Sequence, residues 1–169
     1  MPILTLQQIN ESLSPLLTLD VPGVPYFSGL MQLLHSTGAR PADIMPPGAI
    51  TKNASGNFFL NPLKGNNQRS INPQGLTDSQ IIQIENNQPI FNPFSVRRFR
   101  YHFSANYKYP LASVGEKQIA LYIFRHAFIK NLVAEGLTSI EISEIMGYTT
   151  TTPVQFYSES EITVPELIL

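Results

Sequence analysis

Two arginines, a lysine and a tyrosine stand in this chain in an order that suits one kind of chemistry. Arg40 lies in S-T-G-A-R-P-A-D, Lys64 in P-L-K-G-N-N-Q-R and Arg125 in Y-I-F-R-H-A-F. Tyr157 follows nine residues after Tyr148 in M-G-Y-T-T-T-T-P-V-Q-F-Y. A phenolic oxygen can attack a phosphodiester when two conditions hold: the charge building on the phosphoryl oxygens is neutralised, and the departing oxygen receives a proton. Two guanidiniums meet the first condition and an ammonium the second. Tyr157 is then the nucleophile.

These residues need rigid elements around them, and the sequence predicts a mainly α chain with a small three-stranded antiparallel sheet. Residues 1–23 are a short lead-in that ends in the helix-breaking D-V-P-G-V-P. Pro25 opens a helix running to about Thr37, with Phe27, Leu30, Met31 and Leu34 on one face. Gly38 ends that helix in a left-handed conformation, which would fix Arg40 just beyond it. Strands are expected at 49–52, 57–60 and 68–72, with hairpin breaks at N-A-S-G and K-G-N-N, so that Lys64 lies at the second break.

A helix from Thr77 to Asn86 is capped by Thr77 or Asp78, and another runs from Asn92 to Tyr107. Gly115 and Glu116 are expected to open the longest helix, about Lys117 to Ala134. Thr138 or Ser139 caps a helix that Gly147 ends, and a short helical piece precedes Tyr157.

Composition sets limits on partners. With 169 residues the chain is long enough for one domain with a real core. No apolar run approaches the roughly 20 residues of a membrane span. The start M-P-I-L-T-L-Q-Q lacks the basic and apolar regions of a secretory signal. There is no cysteine, hence neither disulfide framework nor thiolate metal site, and an intracellular location is expected. No His pair stands with acids at ligand spacing, so no metal is expected; His35 and His102 read as an apolar-face neighbour and a surface residue. Eleven basic against twelve acidic residues give a net charge of −1, unlike a strongly basic nucleic-acid binder. Yet ten of the eleven basic residues fall between Lys52 and Lys130, so a locally positive face with few phosphate contacts is expected.

Taken together, the boxes resemble the catalytic domain of the tyrosine recombinases, the family of phage integrases and chromosome-dimer resolvases. S-T-G-A-R-P-A-D is similar to the family's T-G-x-R-x-x-E/D, which implies Arg40 as first catalytic arginine, with Asp43 buttressing the fold beside it. L-K-G-N-N-Q-R-S-I-N-P resembles its hairpin, with Lys64 as general acid. Y-I-F-R-H-A-F resembles H-x-x-R-H, with Arg125 as second arginine and His126 in a supporting role. M-G-Y-T-T-T-T-P-V-Q-F-Y resembles L-G-H-(S/T)-x-x-x-T-x-x-Y and carries the nucleophile Tyr157. The resemblance covers about residues 24–157 as a catalytic domain. It leaves 158–169 as a tail that could dock on a neighbouring protomer or on its own domain.

The resemblance implies cutting and rejoining of double-stranded DNA through a 3′-phosphotyrosine, with no cofactor. Four protomers would meet on two duplexes, and the free chain is expected as a monomer. Arg69, Arg97, Arg98 and Arg100 are candidate DNA contacts. Two departures are chemical: Tyr122 stands where the family has histidine or lysine, and Tyr148 where it has histidine or tryptophan. A phenol titrating near 10 donates a hydrogen bond to phosphate but does not serve as a base at neutral pH. The third departure is length: the family's N-terminal DNA-clamping domain has no room in residues 1–23. Two other readings remain open, a DNA-binding module of this fold that does not cut, and a nicking-closing enzyme of the type IB topoisomerase kind.

Overall fold

Reciprocal capping boxes set three of the helix starts. The computed structural model describes residues 2–63, 65–91 and 95–165. Helix α1 (Leu6–Leu13) begins with a reciprocal capping box, in which the Gln8 amide donates to Thr5 Oγ1 at 3.1 Å and the Thr5 amide to Gln8 Oε1 at 2.9 Å. Helix α2 (Phe27–Thr37) is the hub of the core, burying Phe27, Leu30, Met31, Leu33 and Leu34. Gly38 ends it at φ 66°, and a Cβ there would meet the Phe128 ring at 2.7 Å, so both handedness and close approach require glycine.

The three strands β1 (Ile50–Lys52), β2 (Phe58–Leu60) and β3 (Arg69–Ile71) form an antiparallel sheet in chain order. Leu60 faces Ile50 on one side and Arg69 on the other. Helix α3 (Asp78–Glu85) starts from a second capping box, Thr77 with Gln80, and packs against β1. Helix α4 (Ser95–Asn106) covers the core with Phe99 and Phe103. The expected start of this helix, Asn92 to Phe94, lies outside the described residues, as do Lys64 and the tail end, 166–169.

The expected long helix from Lys117 is divided in two. Ser113–Val114 (β4) and Lys117–Gln118 (β5) form a hairpin closed by Gly115 and Glu116, with Gly115 at φ 60°. A glycine at the first position of a two-residue loop suits a type II′ turn, and that turn chemistry outweighs the helix-opening reading. A 3₁₀ turn follows, and α5 (Ile123–Ala134) begins six residues later than expected from Lys117. Helix α6 (Ser139–Met146) has a third capping box, Thr138 with Glu141, and α7 (Thr152–Glu159) carries Tyr157.

Two apolar clusters result. The larger unites α1, α2, α4, the sheet and the first half of α5. The smaller gathers Ile129, Ile142, Met146, Tyr148 and Val154, with Tyr157 packed at its edge. After α7 the chain returns over its own domain: Ile162 and Val164 are buried, Leu4 donates to the Ile162 carbonyl at 2.8 Å, and Thr163 bridges both Ile3 and Ser113.

Candidate active site

The last carbonyls of a helix lack intrahelical partners and carry the negative end of its dipole, so cations gather there. At the end of α2 they gather in threes. Arg125 Nε donates to the Gly38 carbonyl at 2.8 Å, and Arg69 Nη2 to the Thr37 carbonyl at 2.6 Å. Arg40 follows directly, its Nε 2.8 Å from Asp43 Oδ2. Arg125 and Arg69 are only 3% and 6% exposed, whereas the Arg40 side chain is 28% exposed and can reach a ligand.

Electrostatics separate the three arginines. Burial, and then the neighbouring Arg125 charge, push the Arg69 guanidinium down to about 10. Burial also works against the Arg40 charge, but the hydrogen bond and charge of Asp43 outweigh it and hold that pKa above the ordinary arginine value. Three guanidiniums facing one buried carboxylate leave a net positive locus, which suits an anion.

The tyrosines surround this locus. The Arg125 guanidinium carbon lies 5.7 Å from the ring centre of Tyr148 and 5.7 Å from that of Tyr157. Tyr148 is placed by Gly147, which ends α6 at φ 71°, and whose carbonyl accepts from the Asn67 amide at 2.7 Å. A Cβ on Gly147 would collide with the Asn67 carbonyl. The Tyr148 hydroxyl is buried without a partner among the described residues, and burial raises its pKa. Tyr122 immediately precedes α5 and is 38% exposed. Tyr157 is half-buried, its ring edge-on to His126 at 4.8 Å. His126 is pushed down to about 4, chiefly by burial and then by the Lys130 charge, so it is neutral at pH 7.

The sequence-predicted residues thus divide. Arg40, Tyr122, Arg125, Tyr148 and Tyr157 converge. Lys64 lies outside the described residues, although the Leu63 amide donates to Asp43 Oδ1 at 3.5 Å and the Asn67 amide reaches Gly147. Arg69, expected as a DNA contact, is instead buried beneath the site by its bond to Thr37. On α4, Arg97 and Arg100 are exposed, and Arg98 donates to the Gly23 carbonyl.

Sequence reasoning missed Lys117 and Phe156. Both line a cavity of about 400 Å³ together with Tyr122, His126 and Tyr157. The G-E pair at 115–116 was the available signal for the hairpin that brings Lys117 there.

No family profile matches the sequence, and no curated protein matches it. Likeness to known proteins lies in the fold. The chain is similar to the XerH site-specific recombinase in a post-cleavage complex with palindromic difH substrate, at TM-score 0.58 and 14% identity. That match covers 93% of this chain and 49% of the other, so the chain spans about half the length of XerH. It is also similar to the XerA recombinase, at TM-score 0.52 and 14% identity over 94% of this chain and 61% of that one. Mainly helical around a three-stranded antiparallel sheet, the chain has the fold of a tyrosine recombinase catalytic domain.

Proposed function

We propose that the chain cuts and rejoins double-stranded DNA as the catalytic domain of a site-specific recombinase or integrase. The observation that carries this reading is the convergence of Arg40, Arg69 and Arg125 on the end of α2, with Tyr157 packed against Arg125 at 5.7 Å. The Tyr157 Oη–phosphorus bond forms as the phosphorus–O5′ bond breaks, giving a 3′-phosphotyrosine and a free 5′-hydroxyl. The Tyr157 proton leaves to water in the adjoining cavity, and the Lys64 ammonium gives a proton to O5′. Arg40 and Arg125 stabilise the charge on the non-bridging oxygens, with Arg69 adding its field from below. Tyr122 and Tyr148 donate hydrogen bonds to the phosphate.

The bond energy is kept in the phosphotyrosine, so the reverse step with a partner strand's 5′-hydroxyl needs no cofactor. Exchange between two duplexes calls for four protomers on DNA, from a free monomer. Arg97 and Arg100 on the exposed face of α4 are available for groove or phosphate contacts. Among the described residues no helix is long and apolar enough to cross a membrane.

The test is covalent trapping. Nicked duplexes from the ends of the element that encodes the chain are incubated with wild type and Tyr157→Phe, then separated under denaturing conditions. A DNA–protein adduct with wild type alone is expected. A second reading, a module of this fold that binds DNA without cutting, is favoured by the tyrosines at 122 and 148. It predicts binding of the same DNA with no adduct.

A further inference from the structure

The cavity beside Tyr157 is larger and more aromatic than a phosphoryl group requires. At about 400 Å³ it falls in the size range of small-molecule sites, roughly 300–1,000 Å³. Phe156 is 53% exposed and Tyr122 38% exposed on its walls, next to the nucleophile. Large aromatic surface left in water at a site is stabilised when a ligand covers it. Among the described residues lining the cavity, Lys117 is the one cation, because His126 is neutral at pH 7. Val114 and Ile119 add apolar wall, and Gln118 a neutral polar side chain.

Two features fix this arrangement. Lys117 pairs with Val114 across the tight Gly115–Glu116 turn. The same hairpin is stitched to the chain just beyond α7, with Ser113 and Thr163 exchanging amide-to-carbonyl bonds of 2.9 Å in both directions. The hairpin that carries Lys117 is thereby fastened to the segment that follows Phe156 and the end of α7.

Exposed aromatic faces beside a lone cation are the pattern that binds unpaired nucleotides: the base stacks on a ring, and the backbone phosphate pairs with the ammonium. Strand exchange produces such a nucleotide, since those flanking the break must leave their own duplex before joining another. We propose that this cavity holds an unpaired nucleotide flanking the phosphodiester that Tyr157 attacks, its base against Phe156 and Tyr122 and a backbone phosphate on Lys117. This rests on the reading of Tyr157 as the nucleophile for the nucleotide's place on the strand, but its binding chemistry is testable without cleavage.

The experiment compares two probes by fluorescence anisotropy across a salt series: a short paired duplex of mixed sequence, and the same duplex with a bubble of unpaired thymines. Wild type is expected to favour the bubble. Phe156→Ala lowers affinity for the bubble about tenfold and leaves the paired duplex unchanged, while Phe156→Trp keeps the preference. Lys117→Gln flattens the salt dependence on the bubble by about 0.7 in log–log slope, and Lys117→Arg restores it.

Equal affinity of wild type for both probes overturns the proposal. So does a Phe156→Ala loss that is equal on both probes, or one that alters only the sedimentation of the free protein, which would make Phe156 an interface between copies. A wild type that forms the covalent adduct but ignores the bubble sinks the nucleotide subsite and leaves the recombinase reading standing. A wild type without adduct, whose bubble preference depends on Phe156 and Lys117, does the reverse.

Discussion

The guanidinium half of the site and the phenol half are held in opposite ways. Each of Arg40, Arg69 and Arg125 donates to a fixed oxygen, Asp43 Oδ2, the Thr37 carbonyl and the Gly38 carbonyl, all near the end of α2 in or beside the large core. On the other side, the Tyr148 hydroxyl and His126 Nδ1 are buried with no partner among the described residues, and Tyr157 rides on α7 at the edge of the small cluster. Under the proposed function, the difference matches what each half would do. Groups that stabilise charge in a transition state work best when already oriented, since no reorganisation is then needed as the charge develops. A nucleophile must approach its target, and the unpaired Tyr148 hydroxyl has a hydrogen bond left to give to an arriving phosphate oxygen.

The contrast is broken most severely at Arg125, the residue that touches both halves. Arg125→Ala is expected to lower adduct formation by about 10²–10³-fold, measured in a single-turnover trapping assay. It also costs about 2 kcal/mol of stability in urea unfolding, because the Gly38 carbonyl loses a charged donor.

The next effect belongs to pH. His126 titrates near 4 in the folded chain against 6.5 when unperturbed, because burial foremost, with Lys130 and Arg125 adding to it, penalises the imidazolium. The unfolded chain therefore takes up the proton first. The stability from this residue is fully present above about pH 6.5 and is lost as pH falls through about 4, a drop of about 3 kcal/mol. Urea titrations across that range should show the drop, and His126→Phe should remove its share of it.

Gly147→Ala tests the seam between the halves: its positive φ and the nearby Asn67 carbonyl predict a loss of about 1–3 kcal/mol in thermal unfolding. Tyr148→Phe sharpens the comparison with the smallest change. Removing the unpaired buried hydroxyl should raise stability by about 1 kcal/mol, while adduct formation falls about tenfold. Opposite signs in the two assays would mark a group kept for the substrate rather than for the fold.

Where the chain carries local signals, the fold was legible. The Thr77 cap, the Thr138–Glu141 capping pair, the glycine stops at 38 and 147 and the three strands stand within a residue or two of expectation. These depend on a few neighbouring residues, so they are visible without tertiary context. The order of Arg40, Arg125, Tyr148 and Tyr157 was legible for a similar reason, as each sits just beyond a glycine cap or inside a recognisable box.

Two things escaped. Arg69 reads as an exposed hairpin cation, yet the carbonyl that buries it belongs to Thr37, 32 residues earlier. Lys117 reads as the first turn of a helix because a glycine followed by a glutamate suits a helix start as well as a hairpin loop. The bonds that favour the hairpin come from Thr163, across the whole C-terminal half.

That last pairing makes the molecule topologically simple where its chemistry is concentrated. The reciprocal Ser113–Thr163 bonds close residues 113–163 into a ring, which contains Lys117, Tyr122, Arg125, Tyr148 and Tyr157 and leaves Arg40, Asp43 and Arg69 outside. The two bonds of that neck join the same pair of residues, so the amides of Ser113 and Thr163 should exchange hydrogen for deuterium at a common rate. Unfastening that neck would release the Lys117 hairpin from the chain beyond α7, while Arg125 stays tied to the Gly38 carbonyl and Gly147 to the Asn67 amide.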